Sequence, residues 1–286
     1  MPRKATFDPV LFEKLFRKSQ EYAKESKKNI DITEKWFIIA KNDIEISELL
    51  FKKKHFAGAV YHLQQAFEKL IKGYYILSGR IRPEDAKSHF FVLKQLQFEI
   101  KDEYINTFLE LTKSIKDNKI SLDSADTALK NIEKSEDEIR LMNKENLNSI
   151  LNLISKIESV IISVDMVEKA EEKLQEKSFF RSIKYLSLKI LRRRVYDSEI
   201  REAIKKEQVI FYLKRAVISI KLQLICLFTF LHFNSPRYPT DPKTSVSFFD
   251  YQKKLGIVLI LPDLIKIFNE IYEELISEIK RIKELK

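Results

Sequence analysis

Four polar residues, His62, Gln65, Lys69 and Lys72, are spaced three, four and three apart, which places them on one stripe of a helix. His62 and Gln65 can bind a ligand or hold a neighbouring helix through buried hydrogen bonds. Lys69 and Lys72 can hold a phosphate or form a solvated cationic face. The densest basic run is Arg192, Arg193 and Arg194, accompanied by Lys184, Lys189, Arg201, Lys205 and Lys206. That run can grip an RNA backbone through charge, with Tyr185 and Tyr196 nearby to stack on bases. A plain charged helix surface is the equal alternative. Four histidines and one cysteine provide no cluster with metal-ligand spacing, so no metal centre and no cofactor is expected. Cys226 lies among apolar residues, suits a buried and inert position, and cannot form an intramolecular disulfide.

The elements that position these residues must be helical. Among 286 residues there are only 4 glycines and 7 prolines, too few for the tight turns of a sandwich, barrel or propeller. Apolar residues make up 44% of the chain, more than a disordered sequence carries, so it folds around a core. The 52 Lys and Arg against 42 Asp and Glu give a net charge of +10, a field that favours anionic partners at long range. No apolar signal segment occurs between Met1 and Lys28, and the uncharged run Leu222–Phe233 is shorter than the roughly 20 residues a membrane crossing needs. A cytoplasmic protein without membrane contact is expected.

Asp8-Pro9 signals a helix start, and apolar residues then recur at helical spacing up to the polar run Lys24–Asn29. Thr33 opens a second helix, with Trp36, Ile39, Ala40, Ile44, Ser47, Leu50 and Phe51 on its inner face and a break at Lys52–His55. A third runs from about Phe56 to Ser78 and ends at Gly79. Beyond the charged loop Arg80–Ser88, a helix begins at His89 and reaches about Ile100. Residues 101–204 lack Gly and Pro, are strongly periodic, and read as a helical hairpin or small bundle. A long apolar helix runs from Ser198 to about Phe233. Three prolines then stiffen the loop Asn234–Thr244. A last helix starts near Pro262 and buries Ile267, Phe268, Ile271, Tyr272, Leu275 and Ile279. The pattern is an all-α, up-and-down helical bundle. Its expected organisation is an N-terminal helix (1–34), a first bundle part (35–98), an inserted helical subdomain (99–204) and a second bundle part (205–286).

The stretch Ala57–Tyr75 resembles the signature helix of the HEPN family, through Ala59, Tyr61-His62, Gln64-Gln65-Ala66, Glu68-Lys69 and Lys72. Trp36, Ala40, Asp43-Ile44 and Leu49-Leu50 resemble that family's first core helix, and Ser88-His89 followed by Phe90–Leu96 its His-led third helix. Arg237-Tyr238-Pro239-Thr240-Asp241 resembles the loop before its last helix. The resemblance covers roughly 35–98 and 205–286.

It implies a bundle of four or five helices that usually forms a homodimer and works near RNA or nucleotides. Many members are toxins or defence ribonucleases; others are non-catalytic modules paired with a nucleotidyltransferase. Catalytic members carry an Arg and a His with four to six residues between them. In that pair the His takes the ribose 2′-OH proton and the Arg stabilises charge building on phosphorus, without a metal. Arg82 and His89 meet this spacing with six residues between them. The family motif normally lies on the last core segment, where this chain has Arg237 with no histidine at that spacing. The resemblance therefore implies His89 as general base and Arg82 as the phosphorane-stabilising cation, with Arg237 as second candidate for the cationic role. A non-catalytic adaptor is the alternative, and a scaffold whose 99–204 block does the recognising is a third.

Overall fold

A computed structural model describes residues 9–87 and 248–284, together with individual positions between 144 and 232. Its main elements are α1 (Pro9–Lys52), α2 (Phe56–Leu77), the short α3 (Gly256–Leu259) and α4 (Leu261–Glu284). Single 3₁₀ turns lie at Asp85–Lys87 and Phe248–Asp250, and the described positions from 208 to 229 are helical. Among the described residues there is no strand. The fold is all-α.

α1 is one helix of 44 residues, where the sequence pattern suggested two. At about 1.5 Å rise per residue it is about 65 Å long. The polar run Lys24–Asn29 does not interrupt it because no Gly or Pro follows Pro9 before Gly58. The run's inward polar groups also find work against α2. Asn29 Nδ2 donates to the Ile76 carbonyl at 2.8 Å, and the Thr33 hydroxyl donates to the Gly73 carbonyl at 3.3 Å. Further along, the Ser47 hydroxyl donates to the Ala59 carbonyl at 2.7 Å. These pairs run in opposite directions along the two helices, so α1 and α2 form an antiparallel hairpin. Gly73 sets how closely they approach: a Cβ there would lie 2.7 Å from the Phe37 ring.

The inner face of α1 differs in part from the expected set. Phe37, Ala40 and Ile44 are fully buried, whereas Ile39 is 46% exposed and Trp36 is half-buried. Ile38, Ile46 and Leu49 are exposed as well. At 100° per residue, Ile38, Ile39, Ile46 and Leu49 fall within one sector of α1, an apolar outer face. The turn at Lys53–His55 is tight, with Lys54 at φ 63°, and it delivers the chain into α2.

α2 is the centre of the molecule. Leu63, Phe67, Leu70, Ile71 and Tyr74 are buried, as their spacing predicts. Phe67 meets Phe268 of α4 edge-on with ring centroids 5.4 Å apart. On α4, Phe268, Ile271, Leu275 and Ile279 are buried as expected; Ile267 and Tyr272 pack partly buried against the core. Val209, Leu222, Ile225 and Cys226 belong to the same continuous core, so the early and late parts of the chain share one interior.

α2 ends as its sequence requires. Gly79 adopts φ +71°, its N–H donates to the Ile76 carbonyl at 3.0 Å, and the Arg80 N–H donates to the Tyr75 carbonyl at 2.9 Å. The helix expected from His89, the block 101–204 as a continuous unit, the Asn234–Thr244 loop, His89, Arg192, Arg193, Arg194 and Arg237 lie outside the described residues.

Candidate functional site

The polar stripe of α2 is divided into two sets of partners. At its outer edge Asp43 of α1 sits between His62 and Lys69 of α2. His62 Nδ1 lies 2.9 Å from Asp43 Oδ1, and Lys69 Nζ pairs with Asp43 Oδ2. A carboxylate can only accept, so the Nδ1 of His62 carries the proton and donates. Burial raises the Asp43 carboxyl, but the hydrogen bonds from His62 and Lys69 outweigh it and hold Asp43 below the usual carboxylate range. Asp43 is buried, whereas His62 and Lys69 keep about a quarter of their side-chain surface in solvent.

The inner set is dry. Lys72 Nζ donates to Glu68 Oε1 at 2.7 Å, with both side chains more than nine-tenths buried. The other Glu68 oxygen accepts from Gln64 Nε2 at 3.1 Å and from Gln65 Nε2 at 3.4 Å, and Gln65 also donates to Gln64 Oε1 at 2.7 Å. Lys72 lies 5.7 Å from the Trp36 ring centre. A buried ion pair is tolerable in this way only because its remaining donors and acceptors are occupied. Cys226 sits near this pair, and burial pushes its thiol well up, so it stays protonated. Of the two chemistries open to the stripe, the side chains adopt helix-to-helix bonding for Asp43–His62–Lys69 and intrahelical pairing for Glu68–Lys72. Asp43 and Glu68, which answer the stripe's cations, were not marked as site residues by spacing. Glu68 is recoverable from its i,i+4 relation to Lys72, whereas Asp43 sits 19 residues from His62 on another helix.

Arg82 lies in the loop after α2. Its Nε and Nη2 donate to the two Asp85 oxygens at 2.8 and 3.2 Å, a bidentate pair at the surface. That contact raises the Arg82 guanidinium and holds the Asp85 carboxyl low. Arg82 is thus exposed and oriented, with its fork occupied by an aspartate three residues on.

A second polar cluster was not legible from motifs. Glu278 of α4 has a fully buried side chain that pairs with Arg215, while the Tyr22 hydroxyl donates to its other oxygen at 2.5 Å. The Tyr74 hydroxyl donates to the Arg215 carbonyl at 2.8 Å. Burial pushes Glu278 up to about 7 despite both partners, and burial together with Glu278 pushes the Tyr22 phenol well above its ordinary value. A buried histidine, His232, lies with Nδ1 2.7 Å from the Tyr251 hydroxyl; burial lowers it to about 3, so it is neutral. Among the described residues no group of three His, Cys, Asp or Glu is placed to hold a metal ion, and no helix is long and apolar enough to cross a membrane.

A helical hairpin with a polar, ion-paired stripe on its second helix, closed by a C-terminal helix, defines an all-α bundle of the class the sequence resembles. The family model for the HEPN domain matches residues 33–216, and the chain belongs to the HEPN family. That match takes in α2, the Arg82 loop and the whole of the 99–204 block, and ends before Arg237. The chain is also similar to a protein of Methanocaldococcus jannaschii named "Putative toxin MJ1304", 33% identical over 76 residues, which is 27% of this chain and 50% of that protein. It therefore spans about half the length of the curated relative it matches. No solved structure matches the chain.

Proposed function

We propose that this HEPN-family chain is an RNA- or nucleotide-associated protein of a toxin–antitoxin or defence system, acting as a metal-independent RNA endonuclease. The reading is carried by one observation: Arg82 stands exposed on the loop after the signature helix, with six residues between it and His89, in a chain similar to one named as a toxin. In this mechanism His89 takes the proton from a ribose 2′-OH, and the 2′ oxygen attacks the adjacent phosphorus. Arg82 stabilises the negative charge on the phosphorane, and the 5′ oxygen leaves with a proton, giving a 2′,3′-cyclic phosphate and a 5′-hydroxyl end. Arg237 is the second candidate for the cationic role. The patch Arg192, Arg193 and Arg194 would hold the RNA backbone. Ile38, Ile39, Ile46 and Leu49 offer an apolar face for a homodimer.

A second reading has its own support. Arg82 is held bidentately by Asp85, and the stripe of His62, Gln65, Lys69 and Lys72 is bonded internally, as suits a non-catalytic binding module. Such a module would dock a nucleotidyltransferase or another protein. The two readings separate on incubating the purified chain with total RNA in EDTA, beside Arg82→Ala, His89→Ala and Arg237→Ala. Cleavage that survives EDTA and is lost in His89→Ala and in one arginine variant supports the nuclease. No cleavage, or equal cleavage by all four proteins, removes it. If the chain only binds RNA, affinity falls steeply with salt and weakens when Arg192, Arg193 and Arg194 are neutralised.

A further inference from the structure

The 3₁₀ turn Phe248–Asp250, just ahead of α3, presents two aromatic side chains to solvent. Phe248 is 44% exposed and Phe249 69%, and their rings meet edge-on with centroids 5.5 Å apart. Two exposed lysines, Lys253 and Lys254, follow within five residues, and neither joins an ion pair among the described residues. This tip is separate from the Arg82 loop, the α2 stripe and the outer face of α1.

The tip is held from beneath. Tyr251 is buried; its hydroxyl lies 2.7 Å from His232 Nδ1, and its ring packs edge-on against that imidazole. The backbone is fastened as well. The Gln252 N–H donates to the Asp250 carbonyl at 2.7 Å, and the Leu255 N–H to the Gln252 carbonyl at 2.9 Å. Further on, Ile257, Val258 and Ile260 enter the core. The outward rings thus stand on an anchored segment, and little ordering is left to be done on contact. Phe249 and Lys253 are four residues apart, at most about 14 Å along an extended chain, and the turns shorten that. Asp250, the acidic residue of the turn, has an interaction of its own. Residues 248–255 therefore set two ammonium groups against one carboxylate, in a chain of net charge +10.

Size and shape decide what such a tip fits. A Phe side chain covers about 200 Å², so these exposures leave roughly 220 Å² of apolar surface in solvent. A stable protein interface takes about 800 Å² from each partner, and a protein would have to supply a pocket for the rings. A lipid headgroup layer admits a protruding apolar tip to a depth of about 5–10 Å with no preformed pocket, and lysines beside it stay at headgroup level. We propose that Phe248 and Phe249 insert into the interfacial layer of an anionic membrane surface, with Lys253 and Lys254 on its acidic headgroups. The attachment is to one face, since no described helix is long and apolar enough to cross. It departs from the expectation of a protein without membrane contact, which was drawn from the length of apolar runs and says nothing of a two-residue tip.

The test is co-sedimentation of the full chain with phosphatidylcholine vesicles, alone and with about 30% phosphatidylglycerol. Binding to the anionic vesicles and not to the neutral ones, reduced by salt, is expected. Phe248→Ser combined with Phe249→Ser should weaken partitioning more than about tenfold, and Lys253→Gln and Lys254→Gln about fivefold each. All four side chains are exposed, so each variant should keep the wild-type thermal midpoint, which separates lost contact from lost fold. Insertion is read with Phe249→Trp: lipids brominated in the upper acyl chain should quench its fluorescence beyond the change in wild type, whose one tryptophan is Trp36. No sedimentation at about 1 mM anionic lipid, equal binding to neutral vesicles, or unchanged binding of the double phenylalanine variant would each overturn the proposal. If the phenylalanine pair is instead needed to retain RNA or an acidic polypeptide, with no vesicle binding, the tip serves a soluble partner and the proposal falls. RNA cleavage in EDTA is measured without vesicles, so the tip and the nuclease reading fail separately.

Discussion

Replacing Arg215 by methionine would leave Glu278, whose side chain has no solvent exposure, with the Tyr22 hydroxyl as its remaining partner. Removing one member of a buried ion pair typically costs about 3–5 kcal/mol, because the surviving charge is stranded. For a chain of this size each kcal/mol moves the midpoint by roughly 2–4 °C, so a fall of about 10 °C is expected. Arg215→Met combined with Glu278→Leu should recover most of that loss, since the stranded charge is gone. The pair also sets a pH dependence. Burial raises Glu278 from 4.5 to about 7, so the unfolded chain ionises before the folded one. Stability is then fully present below about 4.5 and is lost as pH rises through about 7, by about 3 kcal/mol in all. Urea unfolding followed by circular dichroism at pH 5 and pH 8 reads this directly. Wild type should weaken between the two relative to Glu278→Gln, which lacks the titrating group. If both proteins shift in parallel, Glu278 is ionised throughout, and the dominance of burial over Arg215 is refuted.

Gly73→Ala should destabilise by about 1–3 kcal/mol, because the new methyl would sit 2.7 Å from the Phe37 ring; a lowered urea midpoint measures it. Asp43→Asn should change the acid limb of the stability curve. The Asp43 carboxyl is held low, so its contribution is present above its ordinary value of about 4 and is lost as pH falls through the lower folded value. An acid titration by circular dichroism should therefore be shallower below about pH 4 for the variant than for wild type. Asp85→Ala should free the Arg82 fork and raise RNA affinity a few-fold at low salt, an effect that vanishes at high salt. Unchanged filter-binding affinity at low salt would place Arg82 away from the RNA.

The sequence carried α2 and α4 well because their signals are local. Gly79 stops one, Pro262 and Asp263 open the other, and apolar residues at helical spacing mark both buried faces. α1 was split at Lys24–Asn29 because polar residues there look like a surface loop. Ser26, Asn29 and Thr33 are in fact buried, and what makes the latter two tolerable is a pair of carbonyls on α2 more than 35 residues away. The same dependence on a partner helix hid Phe37 behind Ile39: periodicity alone does not say which side of a stripe the next helix will cover. In the polar site the stripe on α2 was visible from its spacing, and its function in bonding Asp43 was not. Tyr22 and Glu278 are 256 residues apart and share no motif, so only the folded chain brings them together with Arg215. Arg82 was found by its distance from a histidine, a criterion that carries no information about Asp85.

Because α1 runs unbroken past Gly73, its tightest contact with α2, at Trp36 and Phe37, lies between bonded points at Asn29 and Thr33 on one side and Ser47 on the other. Lys18 lies about 28 Å from that contact on one side and Lys52 about 22–24 Å on the other, at about 1.5 Å per residue. A tilt of about 5° about that contact would carry the two ends about 2 Å in opposite directions, and would stretch the bonds at Asn29 and Ser47 by about 1 Å, so the hydrogen bonds on either side hold the helix as a strut.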